Sequence, residues 1–432
     1  MIKILFVGDL SCVPNYGAIA TTESLIKILK SQVPESEIKY IGYKSLVAPT
    51  PVSGWPDQDD NKSKIIDVIR FIVSFLPKTM ISRLKSIWNK RYAKNSFVPY
   101  RYDLFEEYFA DVSKGIKFQY EKNLIEWADV IYINGEGNIV KGTDYRGYYR
   151  TGALYLFFVS WMAKVKFNKY TCIVNHVVDP CNNDAIEIIS NVYPKLDRIC
   201  VRDNMSLRLL EKNGVCNAFF VPDALFSYKP NLDWRLPKVI ENIVDFSKPY
   251  ICIGDSSAIK NNYGSVKWSV IDVFGELVEK LRNIVPQVIF IDGFNKSNKE
   301  INSFVKKHNV KVLTYSNCSY HDLYHILKGS ELFISGRWHA SILSIMANTP
   351  IILWGADSHK TQSLYLMLDY PYRFFDVDTL PIHIDHIIET AILIMNDKMI
   401  KNNIDKKVSD LKTKVYDNAL FLNNITNGEK MG

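Results

Sequence analysis

Arginine and histidine recur where apolar runs give way to polar turns. The most telling case is Ser335-Gly336-Arg337-Trp338-His339-Ala340, directly after the short strand signal Glu331–Ile334. A strand ending there, a turn eased by Gly336 and a helix beginning near Trp338 would offer an anion free backbone N–H groups and the positive end of a helix dipole. Arg337 can grip a phosphate or carboxylate through two hydrogen bonds. His339 can move a proton near neutral pH. An ordinary Arg salt bridge beside a capping His is the plainer alternative, but the two residues together at one strand-to-helix turn favour function.

Other places add to this set. Arg202, in Val201-Arg202-Asp203-Asn204-Met205-Ser206, again closes a strand signal, and a local Arg–Asp pair explains it equally well. Gly135-Glu136-Gly137 lets backbone approach a ligand, though it is no dinucleotide fingerprint. His176 follows Asn175 near the end of the run Tyr170–Val178, and a satisfied core histidine is the competing reading. Asn15 and Gly17 sit in a polar loop after the first apolar run, and Lys360 could add a cation, a surface lysine being the default. No P-loop, GxSxG or HExxH is present. The pairs His321/His325 and His383/His386 lack companions in a zinc spacing, so no metal is expected. Arginines and histidines at strand ends, without a metal set, predict a small anionic substrate and acid–base chemistry.

Such residues need a scaffold that delivers strand ends to one place. Apolar runs of strand length alternate with helical spacing over Ile2–Val7, Ile38–Tyr43, Asp129–Ile133, Tyr170–Val178, Arg198–Val201 and Ala218–Val221. The alternation restarts at Tyr250–Ile253 and continues through Gln287–Asp292, Val310–Thr314, Glu331–Ile334 and Pro350–Leu353. Two runs of β-α-β units predict an α/β protein with two parallel sheets. The divisions read as an N-terminal domain over 1–230, a Pro-containing linker over 231–248, a second domain over 249–380, and C-terminal helices and tail over 381–432. Ligands of such sheets collect at the carboxyl ends of strands and between domains.

The 432 residues carry 53 basic and 46 acidic side chains, a net charge of +7. The excess is local. Residues 62–101 hold ten basic residues against one acid, Asp67, leaving 43 basic and 45 acidic elsewhere. The body therefore has no basic surplus for nucleic acid. The segment itself mixes cations with apolar residues and contains Pro77, which suits two helices lying on an anionic membrane surface, or equally an inserted helical pair with a solvated basic face. Seven scattered cysteines without a CxxC pair read as buried hydrophobes in a reducing compartment. With no signal peptide and no stretch of about 18 apolar residues, the expectation is a cytoplasmic protein, peripheral at the inner face of the plasma membrane if the basic segment binds it.

In order along the chain, Asn15-Tyr16-Gly17, Asp129 through Gly135-Glu136-Gly137-Asn138, Val201-Arg202 through Ser206, Val221-Pro222-Asp223, Ser335 through Ala340, Thr349-Pro350 and Ser358-His359-Lys360 resemble the polysaccharide pyruvyl transferase family. The resemblance spans roughly 1–45 and 120–375, and implies two Rossmann-like domains facing across a glycosyltransferase-B-like cleft. It implies transfer of the enolpyruvyl unit of phosphoenolpyruvate, a co-substrate rather than a cofactor, onto two hydroxyls of a sugar, giving a cyclic pyruvate ketal. Arg202, Arg337 and His339, and less directly His176, match family positions that hold the donor. A lipid-linked glycan is the acceptor expected from the basic segment. The family's triple glycine is Gly-Glu-Gly here. A glycosyltransferase of the same fold using a nucleotide sugar, such as a CMP-linked acidic sugar, and a non-catalytic scaffold of a polysaccharide assembly complex are the rival readings.

Overall fold

The structure, a computed structural model, describes residues 1–13, 15–42, 98–137, 139, 151–180, 183–260, 266–292 and 299–426. Apart from its last four residues, the basic segment 62–101 lies outside them.

Two parallel sheets organise the chain. The first holds β1 (Lys3–Asp9), β2 (Glu37–Gly42), β3 (Val130–Glu136), β4 (Tyr170–His176), β5 (Arg198–Val201) and β6 (Ala218–Phe220), in the order β2-β1-β3-β4-β5-β6. The second holds β7 (Tyr250–Ser256), β8 (Gln287–Asp292), β9 (Lys311–Thr314), β10 (Leu332–Gly336) and β11 (Ile351–Leu353), in the order β11-β10-β7-β8-β9. The central strands are apolar throughout because helices cover both faces: Ile4–Val7 lie opposite Val130–Ile133, and all eight are fully buried.

Strand order reverses between β1 and β3 in the first sheet and between β7 and β10 in the second. At such reversals the connecting helices leave to opposite faces and open a crevice at the carboxyl ends. Gly135 and Glu136 close β3; Asp255 and Ser256 close β7; Ser335 and Gly336 close β10.

The expected elements are present with small changes at their ends. The fourth strand stops at His176 instead of Val178, because Asn175 takes a left-handed φ of 56° and the register with β5 shifts there. The helix between β7 and β8 that runs to Arg282 starts at Val270, where the Ser269 side chain accepts the Asp272 N–H. The C-terminal stretch divides into helices Ile384–Asn396 and Ile400–Lys414. The chain then returns to the first sheet. The Tyr132 hydroxyl donates to the Asn418 carbonyl at 2.9 Å, the Asn418 amide donates to the Pro222 carbonyl at 3.0 Å, and Asn423 donates to Gln32 at 3.1 Å. No helix among the described residues is long and apolar enough to cross a membrane.

Candidate functional site

The two crevices face each other across one cleft. Asn15, Gly17, Glu136, Gly137 and Arg202 line it from the first sheet's side, and Gly336, Arg337, His339 and Lys360 from the second's.

On the first side, Asn15 caps the helix Tyr16–Gln32, its side-chain oxygen accepting the N–H groups of Gly17 and Ala18 at 2.9 and 3.3 Å. Gly17 meets the other domain so closely that a Cβ there would fall 2.1 Å from His339 Nδ1. Only glycine permits that approach.

Arg202 stands at the end of β5, 1% exposed. Its Nη1 donates to Asp223 Oδ2 at 2.7 Å and lies 3.3 Å from His339 Nε2. Asp223, fully buried, also accepts from Trp338 Nε1 at 2.9 Å and from the Thr21 hydroxyl at 2.7 Å. Burial pushes the Asp223 carboxyl up, but the Arg202 guanidinium and then His339 outweigh it and hold the group well below the usual carboxylate range. Asp223 is thus a permanent anion that fixes Arg202, Trp338 and the edge of His339 in one cluster. His339 Nε2 lies 3.4 Å from Asp223 and 3.4 Å from Glu136.

On the second side, Arg337 forms a two-pronged pair with Asp255 at 2.5 and 2.8 Å. Asp255 is fully buried, while Arg337 keeps a 15% exposed side chain toward the cleft. Ser335 lies beneath, accepting the Arg337 N–H at 3.0 Å and donating to the Asp255 carbonyl at 3.1 Å. Lys360 donates to Asp357 at 2.5 Å, and Ser257 donates to the same oxygen at 2.9 Å.

His176 does not reach the cleft. It is fully buried, with Nδ1 3.1 Å from the Cys200 carbonyl and Nε2 3.1 Å from the Tyr193 hydroxyl. Burial, then the Arg202 charge, push its imidazole down to about 3, so it stays neutral. Gly135 is also placed behind the wall, and a Cβ on it would fall 2.6 Å from the His176 Cβ. His176 supports the site indirectly, since its carbonyl accepts the Arg202 N–H at 2.9 Å.

Sequence reasoning gave Asp223 and His359 no role although both stand in the motifs quoted above, and it missed Asp255 and Asp357. Gly254-Asp255, just past the strand signal Tyr250–Ile253, was the available clue to Asp255. His359 ties the domains together: Nε2 lies 3.0 Å from Asp203 Oδ1 and 3.2 Å from the Ser206 hydroxyl, and Nδ1 lies 3.5 Å from Asp179. Burial opposes its charge, but the bonds to Asp179 and Asp203 prevail and push the imidazole up to about 9. A group raised in the folded state stabilises fully below its unfolded pKa of about 6.5 and loses that contribution as pH rises through the folded value. Stability should therefore fall between about pH 6.5 and 9, by on the order of 3 kcal/mol. Urea melts at pH 7 and pH 10 check this: the drop should shrink in His359→Gln, and an equal drop in both proteins refutes the assignment.

Among the described residues, no group of three His, Cys, Asp or Glu side chains is arranged to hold a metal ion.

Two facing parallel-sheet α/β domains with a cleft at their switch points define the glycosyltransferase-B class of fold. Solved structures share it at low identity. They include S. aureus MnaA with UDP (TM-score 0.55, 9% identity, 99% of this chain and 97% of that one), a UDP-N-acetylglucosamine 2-epimerase (0.52, 10%, 99% and 97%), and the spinosyn rhamnosyltransferase SpnG with spinosyn aglycone (0.53, 10%, 99% and 100%). No curated protein sequence matches the chain. The polysaccharide pyruvyl transferase family matches residues 15–357, and the chain belongs to it. It is a transferase of that family.

Proposed function

We propose that the protein transfers the enolpyruvyl unit of phosphoenolpyruvate onto two hydroxyls of a sugar in a surface polysaccharide, forming a pyruvate ketal. The observation that carries this reading is the convergence of His339 with Arg202, at 3.3 Å, in the cleft that Arg337 also lines. His339 gives a proton to the donor's methylene carbon, and positive charge develops at C2. A sugar hydroxyl attacks C2, the bond from C2 to the phosphate oxygen breaks, and the second hydroxyl closes the ring. One hydroxyl proton balances that given to the new methyl group, and the other leaves with phosphate. Arg337 and Arg202 bind the donor's anionic groups and stabilise the departing phosphate, each already oriented by a buried carboxylate.

Thermal unfolding with phosphoenolpyruvate, CMP, UDP or GDP tests the donor. Phosphoenolpyruvate at about 100 times its Kd should stabilise the fold by about 2.7 kcal/mol while the nucleotides do not. A shift with a nucleotide alone turns the reading toward a nucleotide-sugar glycosyltransferase, and no shift with any of them toward a scaffold.

A further inference from the structure

Glu136 is the one carboxylate of the cleft whose position calls for explanation. It ends β3 with a φ of 39°, a left-handed conformation that L residues seldom take. Its Oε1 lies 3.4 Å from His339 Nε2 and 3.7 Å from Arg202 Nη1, and its Oε2 accepts the backbone N–H of Gly137. An imidazole, a guanidinium and a backbone amide are the donors that an anionic ligand group would engage.

The charges point the same way. Arg202, Arg337 and Lys360 are matched by Asp223, Asp255 and Asp357, each through a contact of 2.7 Å or less. Among the described residues, Glu136 is a fourth carboxylate beyond these three pairs. Asp223 and Asp255 are fully buried and cannot leave, whereas the Glu136 side chain is 16% exposed and its contacts to Arg202 and His339 are long. An anionic donor entering beside all four would meet strong repulsion at close range.

We propose that Glu136 is a displaceable internal anion, whose carboxylate fills the subsite formed by Arg202, His339 and the Gly137 N–H and leaves it when an anionic group of the donor enters. The inference rests on the reading that the donor is anionic. The cost of expelling it falls equally on every anion that enters, so it lowers affinity in general, and only a ligand with a further grip, such as phosphoenolpyruvate reaching Arg337, binds well against it.

Calorimetric titration of the full chain with phosphoenolpyruvate and, separately, with inorganic phosphate tests this on Glu136→Gln and Glu136→Gly. Glycine accepts the left-handed backbone, so the second variant keeps the fold. Both variants should bind phosphoenolpyruvate about ten-fold more tightly than the natural protein, the effect of removing one nearby charge in a partly wet cleft. Inorganic phosphate should gain by a similar factor. Unchanged or weaker phosphate binding in both variants overturns the proposal, as does lost turnover with unchanged affinity, which would make Glu136 a base for the acceptor. If phosphate binding tightens but phosphoenolpyruvate does not bind any of the three proteins, the donor assignment fails while the displaceable anion stands.

Discussion

Arg337→Ala is expected to cut turnover sharply, with kcat/KM for phosphate release falling at least about 10²- to 10³-fold, the scale seen when one preorganised donor to a developing charge is removed. The structure adds a second effect. Arg337 is held by both oxygens of the fully buried Asp255, so its loss strands a buried anion. Breaking one partner of such a pair costs about 3–5 kcal/mol. A simple activity loss could then mean a failing fold. The double variant Arg337→Ala with Asp255→Asn separates the causes, because it removes the stranded charge. It should recover most of the stability lost in Arg337→Ala and none of the turnover. Arg337→Lys should keep part of the charge effect but not the two-pronged grip on Asp255. Near-normal turnover in Arg337→Ala would remove the residue from the reaction.

His339→Gln carries the second large effect. If the imidazole protonates the donor carbon, turnover should fall about 10²- to 10⁴-fold. Stability should change little, since His339 is 13% exposed and sits at the cleft edge. The donor's methylene hydrogens offer a readout that a merely structural role would not move. In heavy water the natural enzyme should exchange deuterium into the methylene group of unreacted donor, and His339→Gln should not. Exchange at the natural rate in His339→Gln would point to another acid. Donor affinity should fall by no more than about ten-fold, because glutamine keeps an N–H donor and Arg202 remains held by Asp223 at 2.7 Å.

Much of this arrangement was legible in the sequence, and the reasons differ by residue. Arg337 and His339 could be read because both follow a single strand end, and local order puts them on one turn. The two parallel sheets were legible because fully buried strands such as Val130–Ile133 appear as unbroken apolar runs. The carboxylates were harder. Arg337 meets Asp255 across 82 positions, and His359 meets Asp203 across 156. No local pattern records such a pairing; it arises only when strand order brings β7 beside β10 and the two domains face each other. His176 shows the opposite error. Its place near a strand end resembled that of Arg202, yet its ring turns inward to Cys200 and Tyr193. Which side of a strand's last residue faces the cleft depends on the register shift after Ile173, and the sequence carries no mark of it.

The return of the chain to the first sheet also limits how the cleft can open. The backbone passes between the domains once before Tyr250 and again along Ile400–Lys414, and Asn418 anchors the second passage to Pro222 and Tyr132. With two crossings, the buried Trp338–Asp223 bond and the His359–Asp203 contact, the two walls of the cleft are held in register. A chain ending before Ile400 would lose the second crossing and strip Ile400, Ile404, Val408, Leu411 and Val415 from the core that the two sheets share, so stability and cleft geometry should fall together.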